Sequence, residues 1–166
     1  MATALDVNST ALTEHERNFV AKIREYGFVS TSVAADAEGP GFSYTTGFWL
    51  NVKFPEIITF TLANDVAHDT FWYMYKHLKD GGTFKISEPT RELFENSQSL
   101  LLQVNKGEYP EFLGWNRWFY GNDSFKCLQL VWPDREGRFP WDPGASAEFV
   151  RDQPDLTKRN WLRWLQ

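Results

Sequence analysis

The sequence predicts an α+β fold: a single domain in which two main helices and one short aromatic helix pack on a mainly antiparallel, twisted sheet. Three observations predict it. The 166 residues contain no linker, no low-complexity tract and no internal repeat, which fits one core of ordinary size. Apolar residues switch repeatedly between a spacing near 3.6 and strict alternation. The resulting order of helix, three strands, helix, two strands, short helix and strand lacks the β-α-β rhythm of a parallel sheet.

The domain is expected over residues 13–144, after a flexible start at 1–12 and before a partly helical extension at 145–166. Thr13 and Glu16 form a capping box, in which each side chain takes the other's amide. The helix that follows places Phe19, Val20, Ile23 and Tyr26 on one face and stops at Gly27. Residues 28–33, 42–50 and 56–62 alternate as strands of an antiparallel meander, with "DAEGPG" as the first turn. Asn64 is expected to cap the second main helix, whose stripe is Ala67, Phe71, Met74 and Leu78. A second stripe, His68, Trp72 and Tyr75, is either widely buried or presents aromatic rings to a cleft. Two further strands are expected at 83–87 and 99–104, an aromatic helix at 110–120 ending at Gly121, and a last strand at 126–132.

Aromatic residues make up 17% of the chain, with eight Trp, so large rings dominate the core and some should remain exposed. The net charge of -5 argues against nucleic acid, whose binders present a basic face to phosphates. Lys158, Arg159 and Arg163 form a local basic patch that reads as a solvated helix face. A single cysteine makes no internal disulfide, and the first residues lack a basic and then apolar leader, so the expected location is cytoplasmic. No apolar run reaches the ~18 residues of a membrane span.

Several chemistries are not expected. Three histidines and one cysteine show no CxxC, HxH or HExxH spacing, and His68 and His77 fall on opposite faces of one helix, so no metal is expected. Phosphate-cradling glycine motifs do not occur, and no cofactor is expected. Cys127 lies within a strand and reads as a buried thiol. Glu56, Glu108, Glu111, Asp123, Asp134 and Asp142 are candidates for paired-carboxylate chemistry, although most should be solvated loop residues.

The stretch "LQLVWPDREGRFPWDPG", residues 128–144, concentrates Trp, Pro, Asp and Arg. Pro133 to Gly137 is a turn by its chemistry, and Pro140 and Pro143 prevent a regular strand beyond it. Two roles fit: an aromatic staple closing the sheet, or a cleft wall in which Trp132, Phe139 and Trp141 give flat apolar surface while Arg138 and Asp142 give directed polar contacts.

"FSYTTGF", "PEIITFTLANDVAHDTF", "YPEFLGWNRWFYG" and "LQLVWPDREGRFPWDPG" resemble the successive motifs of the bacterial domain-of-unknown-function family 4262, from about Tyr26 to Gly144. Where that pattern carries Gly-His-Pro-Glu, this chain has Lys53-Phe54-Pro55-Glu56. The resemblance implies organisation and no catalytic residues. Trp161, Leu162, Trp164 and Leu165 lie beyond it and could form an amphipathic helix that docks on the domain or on a partner.

The functional expectation leans away from an enzyme. It is a small bacterial protein that occupies a protein partner's surface, with an immunity or antitoxin-type inhibitor as one form. The alternative is an enzyme or binder of a small molecule or cofactor near Tyr44, Trp132 and Arg138. In either case the expected binding residues are Tyr44, Thr45, His68, Trp132, Asp134, Arg138, Trp141 and Asp142.

Overall fold

The computed structural model describes residues 1–158 and Trp161. Leu162, Trp164 and Leu165 of the expected tail helix, and Arg159 and Arg163 of the basic patch, lie outside the described residues. The fold is α+β. Six strands form one sheet: β1 (Val29–Val33), β2 (Phe42–Thr46), β3 (Glu56–Phe60), β4 (Thr90–Phe94), β5 (Ser97–Gln103) and β6 (Cys127–Val131), in the order β1-β2-β3-β6-β5-β4. Every pairing is antiparallel except β3 with β6.

Helices cover both faces, so β3 and β6 are buried at every position. On one face α1 (Glu14–Tyr26), α4 (Tyr109–Phe112) and α5 (Gly114–Tyr120) pack Phe19, Val20, Ile23, Leu113 and Phe119 against Tyr44, Ile58 and Cys127. On the other, α3 (Asn64–Lys79) packs Ala67, Phe71 and Met74 against Ile57, Leu101 and Leu128. Adjacent residues of β3 thus serve opposite layers, as the alternation of a strand requires. A third cluster joins Leu100, Leu102 and Val131 to Phe139, Trp141 and Trp161.

The capping box at Thr13 forms, with Glu16 N–H donating to Thr13 Oγ1 at 3.2 Å and Thr13 N–H to Glu16 Oε1 at 2.8 Å. Gly27 ends α1 at φ 93. Residues 1–12, expected as a flexible start, contain two 3-10 turns, and Ala4, Leu5 and Leu12 reach the core.

Other expectations are corrected. The second strand stops at Thr46, because Gly47 at φ 124 turns the chain into the short helix α2 (Phe48–Asn51). Asn64 does not cap α3: it is the first helical residue, and Ala63 holds the cap position without a side-chain bond. Residues 83–87 form no strand, since Ser87 adopts φ 64 and the chain meets the sheet there through its amide and the Leu101 carbonyl at 2.8 Å. The hairpin β4–β5, turning at Glu95 and Asn96, supplies the outer strand instead. The aromatic helix breaks into α4 and α5 at Leu113 (φ -111, ψ 47). The extension, expected to be partly helical, contains α6 (Ala147–Asp152), capped by Ser146.

Candidate functional site

Glu56 was expected among the solvated carboxylates, yet its exposure is 0%. It sits beneath the N-terminus of α2. The amides of Gly47 and Trp49 donate to its Oε2 at 3.0 and 3.1 Å, and that of Phe48 to Oε1 at 3.0 Å. The Thr45 hydroxyl donates to Oε1 at 2.8 Å and the Tyr120 hydroxyl to Oε2. Five donors suit an acceptor-only carboxylate beside the positive end of a helix. Burial nonetheless pushes the carboxyl above its ordinary value, against the pull of these bonds, and also raises the Tyr120 phenol and the Cys127 thiol, both further raised by the Glu56 charge. No face of Glu56 is left for a substrate, so its chemistry here is to hold the Gly47 turn.

The turn after β6 is stapled by its own polar groups. Asp134 Oδ1 accepts the amides of Glu136 and Arg138, both at 2.9 Å, and Oδ2 receives Arg138 Nε at 2.9 Å. Burial pushes the Asp134 carboxyl up, but these bonds outweigh it and hold the group below its ordinary value. Arg138 also reaches Glu136 at 3.1 Å, and Asp142 accepts the Phe139 amide at 2.8 Å. Phe139 and Trp141 stack with centroids 5.0 Å apart, and Trp132 Nε1 donates to the Phe60 carbonyl at 3.0 Å. Groups expected to serve a ligand are spent inside the loop, in the manner of the staple.

The expected binding residues separate into three places. Tyr44 and Thr45 are interior, the Tyr44 hydroxyl accepting the Trp115 amide at 3.2 Å and Thr45 bonding Glu56. Trp132, Asp134, Arg138, Trp141 and Asp142 belong to the stapled loop, beside an open, charged hollow shared with Glu148 and Asp152. His68 stands apart, on α3.

His68 lines a cleft of about 330 Å³ with Trp72, Lys22, Tyr26, Phe28, Val29 and Ser30. The α3 stripe divides: Tyr75 is buried, Trp72 half-buried and His68 exposed. The Trp72 ring lies edge-on to Tyr26 at 6.2 Å and to Phe28 at 4.9 Å, with His68 at 6.3 Å. Tyr26 is 49% exposed. Lys22 and Tyr26 sit one turn apart on α1, so the cleft opens where the helical layers of both faces meet at the outer strand β1. Lys22 and Tyr26 were not singled out as site residues in the sequence; the signal was the aromatic run His68, Trp72, Tyr75 beside a complete core stripe. Among the described residues no group of three or more His, Cys, Asp or Glu could hold a metal ion, and no helix is long and apolar enough to cross a membrane.

Residues 22–146 match the protein-family profile described as "Domain of unknown function (DUF4262)". No curated protein and no solved structure gives a significant match to the chain.

Proposed function

The chain belongs to the DUF4262 family of domains of unknown function, and from that premise we propose that it is a protein-binding domain that takes up an extended segment of a partner along the free edge of β1. The observation that carries this reading is the contrast between the two edges of the sheet. The outer strand β4 reads "TRELF", with Arg91 and Glu92 exposed and an irregular register against β5. Charges and irregularities of that kind keep a sheet from recruiting further strands. The outer strand β1 reads "VSTSV", with no charge, no proline and an unbroken register of five pairs with β2. Its outer backbone groups face away from the sheet, a template for strand addition.

Backbone pairing alone supplies affinity without selectivity, because every residue except proline offers the same N–H and C=O groups. The cleft at the start of β1 offers the selective part. Inhibition by occupancy, the immunity or antitoxin form of this reading in a bacterial cytoplasm, requires only that the edge be filled. Panning a displayed random peptide library against the purified chain tests the proposal. Enriched peptides should slow amide exchange across residues 29–33 and lose binding when the chain carries Ser30→Lys with Val33→Lys. Peptides that protect another segment, or no enrichment, would overturn it.

A further inference from the structure

We infer that the Lys22–Tyr26–Trp72–His68 cleft is an anchor site for one large aromatic side chain that is followed at once by a carboxylate; this rests on the proposed strand addition along β1. The cleft fits such an anchor in size and in charge. At about 330 Å³ it lies at the lower end of small-molecule sites, which run from about 300 to 1,000 Å³, and so suits one side chain more than an extended cofactor. Phe28, Val29, Tyr26 and Trp72 give the cleft apolar and aromatic surface against which a further ring can pack.

The rim carries positive charge from lysine. Lys22 lines the cleft, Lys76 Nζ stands 5.8 Å from the Trp72 ring centroid, and among the described residues no carboxylate lines it. Glu25, Asp65 and Asp69 sit on the same two helices without entering the lining. The chain as a whole is acidic, at -5, and these three carboxylates lie within the ~10 Å over which charges act at ordinary salt, so the inference rests on Lys22, the charged side chain of the lining itself. Position supports the same occupant. Val29 and Ser30 belong both to the cleft and to the β1 edge, so a chain paired with β1 would pass its side chains over the cleft mouth.

Three probes that share an indole and differ in charge test the inference on the full chain: N-acetyl-tryptophan (anionic), N-acetyl-tryptophanamide (neutral) and tryptamine (cationic), titrated while amide and indole NMR signals are followed. Signals of Lys22, Tyr26, Ser30, His68 and Trp72 should move, with the anion bound about threefold more tightly than the amide, the scale of one exposed ion pair, and the cation most weakly. Lys22→Glu, on an exposed helix face, should reverse the order of anion and cation. Equal affinities, a preference for the cation, movement confined to other residues or an unchanged order in Lys22→Glu would overturn the inference. Each probe is at most one residue long, too short to extend β1 by a strand, so its binding does not require the strand addition. Probe binding in the cleft without peptide protection of residues 29–33 would overturn the strand-addition reading while the cleft chemistry stands; the converse would overturn only the anchor.

Discussion

Gln153 closes both ends of its amide on the backbone of Trp132: its Oε1 accepts the Trp132 N–H at 3.2 Å and its Nε2 donates to the Trp132 carbonyl at 2.7 Å. Gln129 does the same for the returning chain, donating to the Pro154 carbonyl at 2.7 Å and accepting the Leu156 amide at 3.1 Å. Both glutamines are fully buried. Two side chains thus act as surrogate strand, binding the segment after α6 to β6 although it lies beyond the residues matched to the family.

Gln153→Ala should therefore destabilise the domain by about 1 to 3 kcal/mol, the cost of leaving buried groups without partners. Urea unfolding measures it. An unchanged midpoint would show that water replaces the clasp without loss.

Trp141→Ala should cost about 3 to 5 kcal/mol, as truncation of a large buried ring does. Trp161 meets Trp141 at 5.1 Å and is equally buried, at 8% exposure, so Trp161→Ala should also lower the melting temperature, and the double variant should lose less than the sum of the two. Arg138→Ala should change stability little, its side chain being 40% exposed. An Arg138 variant as damaged as Trp141→Ala would mean that the polar staple, not the rings, holds the loop.

The sequence made the helical elements legible where the cause was local. Thr13 with Glu16, Gly27 and Gly121 act within a few residues of themselves, and each stands where the pattern predicts. Features that depend on distant partners were hidden. Nothing beside Phe48 announces a helix; the turn is held by Glu56, which reads in isolation as one acidic residue after a proline. The expected strand at 99–104 is β5, but its hairpin partner β4 was missed because "TRELF" is largely polar, as an outer strand may be. In the predicted site, Trp132 to Asp142 stay together because they are contiguous, whereas Tyr44, Thr45 and His68 were grouped by residue type and fall on separate sides of the sheet.

Gly47→Ala should be more damaging than Gly27→Ala. A Cβ on Gly47 would lie 2.4 Å from the Gly27 carbonyl oxygen and 2.8 Å from Phe28 Cα, both backbone atoms that cannot turn aside. On Gly27 it would meet the Tyr75 hydroxyl at 1.9 Å, the far end of a packed side chain that would have to shift, rather than backbone. Both positions have positive φ, so both substitutions carry strain, but the backbone collision belongs to Gly47 alone. Comparing the two melting temperatures decides it, and equal losses would contradict the distinction.

Glu56 should impose a pH dependence on stability. Its carboxyl is raised by burial, so the folded chain keeps a proton at pH values where the unfolded chain has released it. Stability from that proton is present below the unfolded value, falls as pH rises through the interval up to the folded value, and is level above it. Glu56→Gln cannot titrate and should lack this fall. It should also be less stable by about 1 to 3 kcal/mol, because its amide nitrogen faces donors where an oxygen accepted them. Identical pH profiles for the two proteins would show that the five donors keep Glu56 ionised throughout.

Phe71 and Trp72 are adjacent in α3 and should answer different questions. Phe71, at 0% exposure, is packed in the cluster with Ala67, Met74 and Ile57, so Phe71→Ala should cost about 3 to 5 kcal/mol. Trp72 is half-buried, and its ring borders the cleft rather than the centre of that cluster. Its truncation removes the wall shared by Tyr26, Phe28 and His68 while leaving the stripe of Ala67, Phe71, Met74 and Leu78 intact. Trp72→Ala should thus keep the fold, with a smaller loss of stability than Phe71→Ala, and abolish the NMR response to N-acetyl-tryptophan. Thermal unfolding and the titration, read on the same two variants, separate core from cleft. A Trp72 variant that unfolds as readily as the Phe71 variant would make Trp72 a core residue, and one that folds and binds the probe unchanged would remove the ring from the site.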